Sequence, residues 1–172
     1  TNADAVLAVY PFTPHPAVMN AISNVANIPV FNGIGGGLTA GNRSAYMGLL
    51  AEAAGSIGVV VNAPTSVETI KMINQVVDVP IVGTVVAENQ NYAAQIDAGV
   101  SILNVSGAQQ TPAIIRAVRQ QYPAIPIMAT AGKKEADIQA TIDAGANALT
   151  YTPPTNGELF AKKMAEYRID LS

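Results

Sequence analysis

The sequence contains no cysteine and a single histidine, His15. The first absence excludes disulfides, thiolate metal sites and a cysteine nucleophile. One imidazole and few well-placed carboxylates do not make a metal ligand set, so neither a metal nor another cofactor is expected. Charge is scarce too. Only 12% of residues are charged, with nine Lys plus Arg against twelve Asp plus Glu, a net charge of -3. The usual charged share is about 25%. The few cations are scattered, which speaks against a nucleic-acid partner. No apolar run approaches the roughly 18 residues needed to span a bilayer, and no signal peptide is visible. No membrane partner is expected, and a cytoplasmic location is.

Apolar residues are abundant at 49%, and the mean hydropathy is +0.27. A surface this poor in charge predicts cover by further copies of the chain, that is, a homo-oligomer. The 172 residues suffice for one domain, read here as residues 1–172.

Seven apolar, β-branched runs punctuate the chain. They begin at Ala5, Ile28, Ile57, Val79, Ser101, Ile125 and Asn147, at spacings of 23, 29, 22, 22, 24 and 22 residues. Runs that are apolar on both faces read as buried parallel strands. Between them lie helical stripes: Val18, Ile22 and Val25; Ile70, Ile73 and Val77; Ile114, Ile115 and Val118. Thr65 with Glu68 reads as a capping box, Thr111 before Pro112 as a helix start, and Gly99 and Gly145 as helix ends. The tetrapeptide Ile96-Asp97-Ala98-Gly99 recurs 46 residues later as Ile142-Asp143-Ala144-Gly145, at the same place in its unit. Strand-helix alternation at this period predicts an α/β fold, either a parallel (β/α) barrel of the TIM type or an open doubly wound sheet. None of the seven runs reads as a polar edge, which favours the barrel. Such barrels ordinarily have eight units, so either seven strands close it or a first unit lies upstream.

In both architectures the ligand site lies beyond the carboxyl ends of the strands. Those ends supply Tyr10, Thr13 and His15; Asn32 and Gly33 to Gly37; Asn62; Thr84 and Glu88; Asn104 and Ser106; Thr130, Gly132, Lys133 and Lys134; and Thr150, Tyr151 and Thr152. The ring is mainly neutral and suits hydrogen bonding to a polar ligand. Glu88 is the one acid at a strand end; it can act as a base or simply favour a helix start. His15 between two prolines is a candidate acid-base group or a plain loop residue. Lys133 and Lys134 follow Gly132 where barrels hold phosphate, or are a solvated pair. No lysine lies in a strand run, which argues against a Schiff-base mechanism. Gly35, Gly37 and Ala40 fit G-x-G-x-x-A, but Asn62 ends the next strand where an acid for a ribose is needed. A close approach to an anion explains those glycines equally well.

The final 50 residues, with Ala129-Thr130-Ala131-Gly132, Ile138 and Ile142-Asp143-Ala144-Gly145-Ala146-Asn147-Ala148-Leu149, resemble the last two strands of the phosphate-binding (β/α) barrels. Those include N-acetylmannosamine-6-phosphate epimerases, thiazole synthase and the ribulose-phosphate barrels. The seven-unit layout also resembles the glycerol-3-phosphate-responsive antiterminators, which are regulators. The resemblance implies a phosphate cupped by the last two strand ends. Pro153 and Pro154 lack N–H groups, leaving Gly132, Lys133, Lys134, Thr150, Thr152 and the 155–157 helix start as donors. Two functions are therefore expected. One is a lyase or isomerase acting on a small anionic metabolite, phosphorylated or carboxylated. In it Glu88 is the base, His15 a second acid-base group, and Asn62 and Asn104 orient oxygens. The alternative is a non-catalytic, ligand-binding regulatory barrel.

Overall fold

The computed structural model describes residues 2–10 and 12–170. Seven strands alternate with seven helices: β1 (Val6–Ala8), α1 (Pro16–Val25), β2 (Val30–Gly35), α2 (Asn42–Ala53), β3 (Gly58–Val61), α3 (Val67–Asn74), β4 (Ile81–Val85), α4 (Tyr92–Asp97), β5 (Val100–Val105), α5 (Thr111–Gln121), β6 (Ile127–Thr130), α6 (Glu135–Asp143), β7 (Ala148–Thr150) and α7 (Asn156–Asp170). A 3-10 turn over Ala108–Gln110 leads into α5. The strands pair in chain order, always in parallel, and curl into a nearly closed barrel of the TIM type.

Two apolar layers hold the fold. The larger lies between sheet and helices. There Ile70 and Ile73 of α3 and Ile114, Ile115 and Val118 of α5 are sealed from solvent, as their helical spacing predicts. Full burial of such a side chain stabilises the fold by about 1.5–3 kcal/mol. The smaller fills the barrel itself: Phe31, Val60 and Val82, with Leu7, Val9, Ile102 and Met128 packed on them. The parallel register brings these inward residues to one level. Leu7 stands opposite Phe31, and Val60 opposite Val82, which in turn stands opposite Ile102.

Several sequence-level expectations need correction. The buried residue of α1 is Met19, whereas Val25 is exposed, so the stripe is rotated by one position. Ser66, not Thr65, caps α3 by accepting from the Thr69 amide. Thr65 Oγ1 instead donates to the Asn62 carbonyl. Thr111 is the first residue of α5, not its cap; its hydroxyl accepts from the Gly107 amide. The absence of edge strands does not hold. β7 exposes Ala148 and Leu149, and β7 and β1 do not pair with one another among the described residues. Gly99 and Gly145 do end their helices, at φ of 122° and 105° where a side chain is strained.

Candidate functional site

Period-two alternation builds the site. On β3 to β7 the inward position one step above the barrel floor is polar. Asn62 follows Val60, Thr84 follows Val82, Asn104 follows Ile102, Thr130 follows Met128 and Thr150 follows Ala148. Register then pairs these groups across neighbouring strands. Thr84 stands opposite Asn104, whose Nδ2 lies 3.4 Å from the threonine hydroxyl. Thr130 stands opposite Thr150, with 2.8 Å between the two hydroxyl oxygens. Above them opens a cavity of about 450 Å³, lined by this polar ring together with Ser106, Tyr151 and Thr152. Asn104 is 7% exposed, and its Oδ1 accepts no hydrogen bond. An unpaired buried acceptor costs about 1–3 kcal/mol.

A second cavity, of about 240 Å³, adjoins the first and shares Val9, Asn62 and Ala63 with it. Its wall is made by Tyr10, Phe12, Pro14, Leu38 and the Gly35–Gly37 backbone. Tyr10 and Phe12 stack with ring centroids 4.4 Å apart, and Tyr10 Oη is buried without a partner.

Close packing accounts for Gly35 and Gly36, and a positive φ of 64° for Gly37. A Cβ on Gly35 would overlap the Ser44 hydroxyl, and one on Gly36 would overlap the Asn62 carbonyl. The Gly36 amide donates to the Thr39 carbonyl at 2.8 Å, and the Gly37 amide to the Pro64 carbonyl at 2.9 Å. A phosphate would find those two N–H groups already bonded.

The structure brings Asn62, Asn104, Thr150 and Thr152 together around one cavity, as the strand ends predict, and sets Gly35 and Gly37 in the wall of its neighbour. Glu88 and His15 line neither cavity. Glu88 is exposed in the loop after β4. His15 is exposed and caps α1, its Nδ1 accepting from the Ala17 amide at 3.2 Å. Gly132, Lys133 and Lys134 are exposed at the rim, on the loop into α6. A Cβ on Gly132 would lie 2.5 Å from Asp137 Oδ2, so a carboxylate already occupies the space beside that glycine. Glu158, at the start of α7, has a carboxyl pKa below its ordinary value of 4.5. The Thr155 amide and hydroxyl, which bond that carboxylate, are the main cause, and Lys133 adds to it. Asn32 points away from the barrel, to Ser56 in the helix layer, with 2.6 Å between Nδ2 and Oγ.

Sequence reasoning missed Leu38 as a wall residue, because nothing in its spacing separates a lining leucine from a loop leucine. It also missed that Asp137 reaches back to Gly132, a contact that depends on the helix start and not on the strand end.

No protein-family model matches the sequence, and no curated protein does. Solved structures match the fold. One is a protein from Burkholderia cenocepacia J2315 provisionally described as a phosphonomutase, 19% identical, with a TM-score of 0.65 over 91% of this chain and 74% of that one. Another is phosphonopyruvate hydrolase in complex with oxalate and magnesium, 20% identical, with a TM-score of 0.63 over 91% of this chain and 64% of that one. A third is phosphoenolpyruvate phosphomutase from Streptomyces platensis subsp. rosaceus, 16% identical, with a TM-score of 0.66 over 89% and 64%. This chain thus spans less than two thirds of the length of the last two. At these identities the likeness is one of fold. No carboxylate or imidazole lines either cavity, and no cluster of three His, Asp or Glu side chains among the described residues is arranged to hold a metal ion. The residues here therefore do not fit the magnesium found in the hydrolase complex.

Proposed function

We propose that the protein is an enzyme of lyase, isomerase or mutase type, acting on a small phosphorylated or carboxylated metabolite at the carboxyl ends of the strands. The observation that carries this reading is the 450 Å³ cavity, with its apolar floor, its hydrogen-bonding ring and the unpaired Asn104 Oδ1. Its position at the carboxyl face, where (β/α) barrels hold their sites, supports it. So do the fold neighbours, two of which carry the names of a hydrolase and a mutase of small phosphorus-containing acids.

In this reading the anionic head of the ligand lies at the rim, between the 131–134 loop and the 150–152 strand end. Thr150 and Thr152 donate hydrogen bonds and the two lysines supply charge. Asn62 and Asn104 orient the remainder. Glu88 and His15 sit outside the ring, so a role for them as base and acid requires the loops after β4 and β1 to turn inward over the ligand.

Calorimetry with phosphoenolpyruvate, glycerol 3-phosphate and oxalate tests the site. At least one is expected to bind with a Kd near or below about 1 mM, and Thr150→Val is expected to weaken it about fivefold. Binding unaffected by Thr150→Val, or none at all, overturns the reading. Proton NMR of the bound mixture tests turnover, which Glu88→Gln or His15→Gln should reduce at least about tenfold.

A second reading, a non-catalytic regulatory barrel, is favoured by one observation: among the described residues no carboxylate, imidazole or ammonium group lines either cavity. Binding without turnover would select it. Cytoplasmic location and homo-oligomerisation belong to the same proposal. The second is supported by Leu159, Phe160 and Tyr167, all exposed on α7. Light scattering near the 17.7 kDa of one chain would refute it.

A further inference from the structure

The two cavities differ in chemistry. The larger carries a ring of hydroxyl and amide groups above apolar Leu7 and Val9, and the smaller is walled mainly by Tyr10, Phe12, Pro14 and Leu38, with Thr13 and Thr39 beside them. They adjoin at Val9, Asn62 and Ala63. Gly33 holds the inward position beside Val9, and a Cβ there would lie 3.5 Å from the valine Cγ2 and 3.2 Å from the Ala8 carbonyl oxygen. The junction is therefore closely packed on the β1 side. Around the smaller opening, apolar groups stand in water: Leu38 is 95% exposed and Phe12 57%. The backbone there offers a ligand little, because the Gly36 and Gly37 amides are bonded within the protein. Leu38 lies on a tight turn closed by the Gly36–Thr39 bridge, with Gly37 at a φ of 64° and nothing within 4 Å of the place a Cβ would take. The turn therefore presents a leucine to the cavity with free space around its glycine.

We infer that the two cavities form a single bipartite site whose ligand is a hydroxylated small molecule carrying a compact apolar substituent. The hydroxyl-bearing part lies in the ring and donates a hydrogen bond to Asn104 Oδ1. The apolar substituent lies against Tyr10, Phe12 and Leu38, and any anionic group projects to the rim. This rests on the proposed use of the barrel mouth as a ligand site and adds to it the class of ligand. The physical reasons are two. An apolar group that covers exposed Leu38 and Phe12 gains roughly 25 cal/mol per Å² of surface removed from water. A hydroxyl donor satisfies an acceptor that the fold leaves unpaired in the interior.

Three uncharged probes separate the halves: propane-1,2-diol, 2-phenylethanol and 1-phenylethane-1,2-diol. Affinities are measured by NMR titration, with amide shifts followed at Gly37 and Leu38 and at Asn104 and Thr150. The phenyl diol is expected to bind about fivefold or more tighter than either partial probe and to shift both groups of amides. Leu38→Asp, a change at an exposed position, is expected to bring its affinity within about twofold of propane-1,2-diol. Thr150→Val is expected to bring it toward 2-phenylethanol, and Asn104→Leu to do the same if the variant folds. Equal affinities for the three probes, or shifts confined to one cavity, overturn the bipartite site. If they do so while phosphoenolpyruvate, glycerol 3-phosphate or oxalate still binds in a Thr150-dependent way, the mouth remains the site and only the ligand class fails. If no probe and no anion shifts Asn104 or Thr150, both readings fall.

Discussion

The same four residues, Ile-Asp-Ala-Gly, close α4 before β5 and α6 before β7, and the two copies end in different surroundings. Their backbones agree. Ala98 and Ala144 are both buried, and Gly99 and Gly145 both take left-handed values. Their cover does not. Ile96 packs against the main core, whereas Ile142 is 46% exposed. β5, beyond the first copy, ends in three buried residues; β7, beyond the second, has none that is fully buried. Local sequence thus decides the turn, while neighbouring elements decide the burial. β5 has β4 and β6 on its two sides, whereas β7 pairs only with β6 among the described residues. The residues of α7 are exposed along nearly the whole helix.

The largest test of this contrast is on stability. Ile73 of α3, sealed in the layer between sheet and helices, is expected to cost about 2–5 kcal/mol when changed to Ala, through lost burial and the cavity left behind. Ile142→Ala is expected to stay within about 0.5 kcal/mol, as surface changes do. Urea unfolding of both variants checks the pair. A cost at Ile142 comparable with that at Ile73 would show that a second chain covers this face in solution, and a concentration-dependent midpoint would identify it.

The same contrast explains what was legible in the sequence. The strand runs and their order could be read, because each of β2, β3 and β4 is buried throughout and so largely apolar on both faces. The polar ring could be read too, since period two carries Asn62, Thr84, Asn104, Thr130 and Thr150 inward one step above the apolar floor. The edge character of β7 could not, because Ala148 and Leu149 are as apolar as the residues of a covered strand. Helix starts were misread by a residue, as at Ser66, because adjacent Thr and Ser are equally able caps and only backbone geometry chooses. Glu88 and His15 attracted notice as rare titratable residues near strand ends. Rarity carries no information about position, and both side chains are exposed and line neither cavity.

The anion end of the site offers a finer test within the exposed sector. Asp137 stands against Gly132, where the resemblance to phosphate-binding barrels puts a phosphate. If an anion binds there it meets a carboxylate of like sign as well as Lys133 and Lys134. Asp137→Asn is then expected to raise affinity for glycerol 3-phosphate about threefold to tenfold. Replacing both lysines by Ala is expected to lower it, by about 1–3 kcal/mol for each charged hydrogen bond lost. Calorimetry at low and high salt reads both. Affinity unmoved by any of these changes would place the anion away from this loop.

The smallest expected effect concerns the start of α7. Glu158 accepts from the Thr155 amide at 2.7 Å and from its hydroxyl at 2.8 Å, while Thr155 Oγ1 accepts in turn from the Glu158 amide at 3.2 Å. This is a reciprocal cap, and it favours the charged carboxylate. The folded form therefore holds its proton less tightly than the unfolded form. Where the unfolded chain binds more protons, stability rises with pH, so the cap contributes fully above the ordinary value of 4.5 and fades as pH falls through the lowered folded value. Glu158 is fully exposed and solvent screens it, so the consequence is local fraying of α7 rather than loss of the barrel. Hydrogen exchange read at the amides of residues 155–160 is expected to show protection that weakens below pH 4.5 in the native chain and is weak at every pH in Glu158→Gln. The β2–β5 amides should show no such difference between the two proteins. An equal pH dependence in native and variant α7 would mean that the helix is held by a packing surface other than its own cap, and the exposed sector would then be covered in solution after all.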